Sequence, residues 1–305
     1  MPEWRERSDK GRYMSEFIDY LRTEKKKAEN TLIAYERDIK SFRNYLLSRG
    51  VTDMDKCSES DAVSYILELG NQKKSKATVN RKISALRMYY EYCIRCGKRE
   101  DNPFSRIKSA RGERRDVDYL TVEEIESLLE LPDDSPKGIR DTALLEFMYG
   151  TGARVTEVVR LCFEDINLRM SFVTLKDVND ESRIVPLGKY AKAALEKYIG
   201  TVYDDLAGRP HSEEDHVFVN MRGEALTRQG IWKIMKDYGS RINAGSRMTP
   251  QILRDSFAVH ILQNGGDLKT LQELMGFEDM SIGIAYLAVT EIHVKDVFNR
   301  THPRA

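Results

Sequence analysis

The chain is poor in the residues that metal, redox and thiol chemistry depend on: it has 4 cysteines and 5 histidines in 305 residues. Cys57, Cys93, Cys96 and Cys162 are too few for a disulfide scaffold, so a reducing cytoplasm is the expected setting. The pair Cys93-x-x-Cys96 has no second CxxC or HxxxH to complete the roughly four ligands of a zinc site. Two reduced thiols on a helix are therefore expected, and no metal. The histidines (His211, His216, His260, His293, His302) are scattered and form no ligand cluster in sequence. No stretch approaches the ~20 apolar residues of a membrane span. The charged start MPEWRERSDKGR has no apolar region of the kind a secretory signal needs. Neither G-x-x-x-x-G-K-[ST] nor G-x-G-x-x-G occurs, so no nucleotide cofactor is expected. The acidic run Glu213, Glu214 and Asp215 lies in loop-like sequence and reads as solvated.

The chain does have enough apolar material for a core, with 41% hydrophobic residues against 32% charged. Its length suits two domains at roughly 150 residues each. Lys+Arg 49 and Asp+Glu 49 cancel, but unevenly along the chain. Residues 1–115 carry 27 basic and 18 acidic side chains, and residues 73–115 carry 14 and 4. A basic half of this kind fits a polyanion partner; a solvated lysine-rich helical surface is the plainer alternative.

Residues 1–108 read as helices between polar breaks. Asn30 is the expected cap of a helix carrying Leu32, Ile39, Phe42 and Leu46, closed by Gly50. Ser60 or Asp61 is expected to open a shorter helix ending near Gly70. A third runs from Lys76 to Cys96 with Gly97 as its stop, and Val79, Ile83, Leu86, Tyr90 and Cys93 form one apolar stripe on it. Arg81, Arg87, Arg95 and Lys98 are expected to project away from that stripe as a basic face suited to a phosphate backbone. Residues 109–118 are densely charged, lack apolar periodicity and read as a linker. Residues 119–305 mix element types. Thr121 with Glu124 reads as a capping box. Two β-prone runs flank a polar turn from Lys176 to Ser182, and Val217–Asn220 reads as a further short strand. Thr249-Pro250 is a helix start with its cap and first-turn proline, and Asp267 caps a helix stopped by Gly276.

What stands out chemically is a set of arginines. In GTGARVTEVV, Arg154 follows a double-glycine break and opens a helix, a placement that favours phosphate. In TPQILRDSFA, Gln251 and Arg254 are three apart near another helix start, hence on one face. Tyr286 brings a hydroxyl near the C-terminus. Taken singly, each has an ordinary structural reading as an ion pair or a core residue.

Together and in this order, these residues resemble a tyrosine site-specific recombinase of the Xer type. AENTLIAYERDIKSFRNYL resembles the family's N-terminal DNA-binding helices, RDTALLEFMYGTGARVTEVVRL its first catalytic box, TPQILRDSFAVHILQNGGDLKTLQELMGF its second, and HPRA its terminus. The resemblance implies a mainly α, two-domain protein. A helical SAM-like DNA-binding bundle precedes an α+β catalytic domain with a small β-hairpin. It implies that Arg154 and Arg254 grip the scissile phosphate, that Tyr286 is the nucleophile forming a 3′-phosphotyrosyl link, and that Lys176 protonates the leaving 5′-oxygen. It also implies no cofactor, since the link conserves the phosphodiester bond energy. Double-stranded DNA would be the partner, gripped by Lys76, Arg81, Arg87 and Arg228, with a homo- or hetero-tetramer of protomers assembled on it. The tail Thr290–Ala305, with Val294, Val297 and Phe298 on one face, would pack on a neighbouring protomer in an assembled tetramer or fold back on its own chain in a free monomer.

The chain departs from the family pattern at three positions. Gln251, Asp255 and Phe277 stand where histidines are usual. Gln cannot exchange a proton near neutral pH, and general acid–base groups typically contribute about 10² to 10⁴ in rate. The expected activity is site-specific recombination, in chromosome-dimer resolution or mobile-element integration, by an enzyme that these replacements could slow. A non-cleaving DNA-binding relative and a nicking-and-resealing topoisomerase-like enzyme are the competing readings. His260, beside Phe257 and Ile261, reads as structural.

Overall fold

The computed structural model describes residues 14–109, 117–242, 244–277, 279–280 and 282–290. The chain divides into two compact units, Met1–Glu113 and Arg114–Ala305. Most of the expected linker 109–118, and the tail beyond residue 290, lie outside the described residues.

Unit 1 is helical: α1 (residues 14–23), α2 (Glu29–Ser48), α3 (Glu59–Asn71) and α4 (Lys76–Arg95). Leu32, Ile39, Phe42 and Leu46 recur along α2 at helical spacing, and all are buried. They meet Leu86, Tyr89, Tyr90 and Cys93 of α4 through Phe17, Tyr65 and Phe104. Two helix starts differ from expectation. Helix α2 begins at Glu29, one residue before Asn30, with Ala28 in the cap position and no side-chain cap. Helix α3 is capped by Ser58 in a reciprocal box with Asp61, so Asp61 serves as the third helical residue and not the cap. Gly97 ends α4 with φ +69°, as its glycine implies.

Three of the arginines expected on the basic face of α4 are engaged by neighbouring segments, although Arg95 stays exposed. Asp38 on α2 is 1% exposed, and Arg81 and Lys82 both pair with it. Arg87 donates to the carbonyls of Phe104 and Ile107, the latter at 2.7 Å, clamping the segment after α4. Arg95 pairs with Glu24 at 2.7 Å. Helical spacing alone placed these side chains away from the apolar stripe, but carbonyls and carboxylates of neighbouring segments meet them there.

Unit 2 opens with α5 (Val122–Leu129), started by the Thr121–Glu124 capping box, and α6 (Pro136–Thr151). After α7 (Val155–Arg160) comes an antiparallel sheet of β1 (Ile166–Asn167), β2 (Phe172–Lys176) and β3 (Ser182–Pro186), in the order β1-β2-β3. Helix α8 (Lys189–Tyr198) runs through a wide turn into α9 (Asp204–Ala207). The strand expected at Val217–Asn220 is only a pair of isolated bridges, Cys162 with His216 and Val219 with Ala225. Then follow α10 (Arg228–Gly239), α11 (Pro250–Gln263), α12 (Leu268–Met275) and α13 (residues 282–290).

Helix α11 is central to this unit. Eleven of its 14 residues are buried, as befits a helix enclosed on all sides. Its buried polar groups all have partners. Ser256 Oγ accepts the Leu120 N–H at 2.8 Å, and His260 Nδ1 meets the Tyr149 hydroxyl at 2.9 Å. Burial pushes the His260 imidazole down from its ordinary range, so the ring stays neutral and structural.

Candidate active site

The site is assembled at the C-terminal end of α12. The last carbonyls of a helix have no intrahelical partner and carry the negative end of its dipole. Here three successive carbonyls each accept from a different arginine. Leu274 O takes Arg183 Nε at 2.8 Å, Met275 O takes Arg254 Nη2, and Gly276 O takes Arg154 Nη2 at 2.9 Å. Gly276, with φ +62°, turns the chain sharply and leaves room for Arg183, whose Cδ would stand 3.0 Å from an added Cβ.

Each arginine is delivered by its own element. Arg154 is the residue before α7; its backbone N–H donates to Glu157 Oε2 at 2.6 Å and its Nη1 to Oε1 at 2.8 Å. The break before it has a steric cause. Gly152 has φ +59°, and a Cβ there would come within 2.5 Å of Phe257 Cδ1. The Gly152 carbonyl in turn accepts from Arg254. Arg183 comes from β3, paired with Leu175 on the same face as Val173 and Val185. It grips the Glu157 carboxylate bidentately at 2.6 and 2.9 Å. Burial pushes the Glu157 carboxyl upward, but Arg183 and Arg154 outweigh this and leave it below its ordinary value. Arg254 is 4% exposed; burial, then the Arg154 and Arg183 charges, push its guanidinium down to about 9, so it still holds its proton at neutral pH. An open pocket of about 210 Å³ lies over this group, lined by Arg154, Arg183, Ser182, Gly276 and Phe277, with Asp177 and Glu181 on its hairpin side.

Beside the arginines lies a second chain of contacts. The Phe277 ring stands 5.8 Å from the Arg254 guanidinium and stacks on Tyr286, with centroids 6.0 Å apart and planes at 15°. Tyr286 is 3% exposed, and its hydroxyl donates to Asp255 Oδ1 at 2.6 Å. Gln251 Nε2 donates to the same oxygen at 2.9 Å. This corrects the expectation that Gln251 projects with Arg254. Its neighbours at i+3 and i+4 are both within reach on a helix, and Arg254 is already committed to the carbonyls of Gly152 and Met275.

Lys176 is not with the arginines. It is the last residue of β2, paired with Ser182, and not part of the turn. Successive strand side chains face opposite sides, so Lys176 lies on the face opposite Leu175 and Arg183. There it binds Asp165 at 2.7 Å and Glu164 at 3.0 Å, and these bonds push its ammonium above the ordinary lysine range. The hairpin loop beyond it is tied to α7, where Arg160 reaches Asp177 O and Asp180. Lys76 and Arg228 are exposed first residues of α4 and α10, behind the caps Ser75 and Thr227. Glu157 and Arg183 were not singled out from the sequence. Their signals were present, in the i, i+3 spacing of Arg154 and Glu157 and in the strand alternation of Arg183 with Val185.

Known proteins share this architecture. The family described as phage integrase matches residues 118–293, and the phage integrase N-terminal SAM-like domain matches residues 14–97. The chain is 39% identical over 294 residues to the tyrosine recombinase XerD of Listeria innocua serovar 6a, covering 96% of this chain and 99% of that one. It is 38% identical over 295 residues to the XerD of Oceanobacillus iheyensis, covering 96% and 98%. Among solved structures, the Tn1549 transposon integrase in complex with transposon right end DNA superposes with a TM-score of 0.74 at 18% identity, covering 95% of this chain and 99% of that one. The XerH site-specific recombinase bound to palindromic difH substrate gives 0.71 at 18%, covering 87% and 78%.

Proposed function

The chain belongs to the phage integrase family, and from that membership we propose how its own residues cut and rejoin DNA. It is a tyrosine recombinase, acting by site-specific strand cleavage and rejoining. Arg154 and Arg254 hold the scissile phosphate. A guanidinium has five N–H donors, and the carbonyls and Glu157 leave some free on each. The arginines stabilise charge developing on the non-bridging oxygens. The Tyr286 phenolic oxygen attacks the phosphorus, a phosphotyrosyl bond forms, and the bond to the 5′-oxygen breaks. The reverse attack by a 5′-hydroxyl of the partner strand restores the phosphodiester and frees the tyrosine. One phosphoester bond replaces another at each step, so no external energy source is needed.

Lys176 supplies the proton to the leaving 5′-oxygen only after giving up Asp165 and Glu164, which makes the hairpin a step that DNA must drive. Double-stranded DNA is the substrate, contacted by Lys76 and Arg228 at helix starts, where a basic side chain is unfavourable in the free protein and favourable beside a phosphate. Arg81 contributes through the part of its side chain not covered by Asp38, while Arg87 acts as a clamp inside unit 1. Exchange between two duplexes takes place in a tetramer of protomers.

The observation that carries this reading is the crowding of Arg154 and Arg254 on one helix end, with the Tyr286 phenol across the Phe277 ring from them. The test uses a nicked suicide duplex built on a site that the full chain selects from a random pool. The wild type is expected to accumulate a covalent adduct, and Tyr286→Phe to form none while binding the duplex nearly as well. An adduct with Tyr286→Phe would remove the nucleophile assignment.

A further inference from the structure

The position after Arg254 holds a carboxylate where the resemblance leads one to expect an imidazole. Histidine is also missing at Gln251 and Phe277, so the site lacks the proton acceptors its relatives are expected to use. Asp255 is 3% exposed, and one of its oxygens accepts from both the Tyr286 hydroxyl at 2.6 Å and the Gln251 amide at 2.9 Å. Of the three replacements, Asp255 alone is both ionisable and in direct contact with the nucleophilic oxygen. Gln251 orients the carboxylate without competing for a proton, because an amide N–H donates and does not exchange near neutral pH. Phe277 stacks on the phenol ring and has no polar atom that could take its proton.

We propose that Asp255 is the proton acceptor for Tyr286, with Gln251 as its positioning residue. This rests on Tyr286 being the nucleophile. As the phenolic oxygen bonds to phosphorus, its O–H bond breaks and the proton passes to Asp255 Oδ1. The electron pair of the breaking P–O bond leaves with the 5′-oxygen, which takes its own proton from Lys176 or water. On rejoining, the 5′-hydroxyl attacks phosphorus and passes its proton back to Lys176 or water, the phosphotyrosyl bond breaks, and Asp255 returns its proton to the departing phenolate. A carboxylate is a weak base toward a free phenol. The transfer becomes favourable only as charge leaves the phenolic oxygen for the phosphoryl group held by the arginines, which couples proton movement to attack. The Tyr286–Asp255 bond thus keeps the proton acceptor in place on the phenolic hydrogen before a phosphate arrives.

The experiment measures single-turnover adduct formation by the full chain on the selected suicide duplex, with duplex affinity and thermal midpoint as controls. Asp255→Asn keeps the size and a hydrogen-bonding oxygen but cannot accept the proton; its adduct rate is expected to fall by 10² or more in the range typical of a lost general base, with affinity unchanged. Asp255→His, whose imidazole can accept the proton, should stay within about tenfold of the wild type, by the same scale. The decisive arm places a ring-fluorinated tyrosine at position 286 of the Asp255→Asn chain. Its phenol ionises more readily, and it should recover much of the lost rate, which a merely structural role for Asp255 would not allow. Asp255→Asn cleaving like the wild type, or a loss that fluorination leaves unchanged, overturns the proposal. A wild type that forms no adduct instead removes the underlying nucleophile assignment, so the two failures are distinguishable.

Discussion

The two units of this chain use arginine in opposite ways. In unit 1, Arg81, Arg87 and Arg99 are spread over the bundle, each tying down its own carboxylate or carbonyls. In unit 2, Arg154, Arg183 and Arg254 converge on one helix end and share one carboxylate, Glu157, between two of them. The first arrangement satisfies backbone groups and costs little. The second brings like charges together in a region where one guanidinium is 4% exposed, and repulsion and desolvation both oppose it. Such an arrangement is worth keeping where an anion is to be bound. An arginine's role here is told by its charged neighbours and not by its position on a helical wheel.

The sharpest test of this contrast pairs Arg254→Ala with Arg87→Ala. Arg254→Ala is expected to lower adduct formation by about 10² to 10³ or more, the scale of a lost oxyanion donor. Each substitution leaves two carbonyls without a donor, so each should destabilise by about 1–3 kcal/mol in denaturant unfolding. Only the first should change the cleavage rate of DNA-bound protein. Equal effects on cleavage would erase the distinction between the two units.

Next in size is Glu157, the carboxylate that makes the crowding in unit 2 tolerable. Glu157→Gln breaks a buried ion pair and is expected to cost about 3–5 kcal/mol. Its folded-state carboxyl is held below the ordinary value. Its stabilisation is therefore complete above the unfolded-state value and is lost as pH falls through the lower folded-state value. The wild type should lose thermal midpoint across that acid window more steeply than Glu157→Gln. Parallel curves for the two proteins would show that Glu157 does not carry this dependence.

The smallest effect concerns DNA affinity. Lys76→Ala and Arg228→Ala should each lower the magnitude of the slope of log affinity against log salt by about 1, as one phosphate contact is lost. Arg87→Ala should leave that slope unchanged. A reduced slope in Arg87→Ala would put that side chain back on a DNA-facing surface.

Much of the architecture could be read locally. Thr249-Pro250, Asp267, the Thr121–Glu124 box, and the stops at Gly97 and Gly276 all act within one turn of a helix, and all stand where their residue types place them. Cap choice among adjacent polar residues was less legible. Ser58 is used in place of Ser60, because its side chain and Asp61 can satisfy each other's backbone N–H. The arginines and the tyrosine of the candidate site were legible as an ordered set, while Glu157 and Arg183 were not.

Residue type and order were enough to point to the family, to a two-unit organisation of mostly helical elements, and to the set of side chains proposed for the phosphate chemistry. These depend on short-range periodicity, capping and motif spacing. Where those side chains point was decided by the fold. Lys176 faces away from the arginines because its strand register puts it on the opposite side from Leu175 and Arg183. Arg87 is drawn to the carbonyls of Phe104 and Ile107 because the chain returns past α4. Asp255 meets Tyr286 because α13 folds back over α11, across 31 residues of sequence. Each is a contact between segments distant along the chain, and local sequence patterns hold no record of which donor will find which acceptor once the apolar faces have packed.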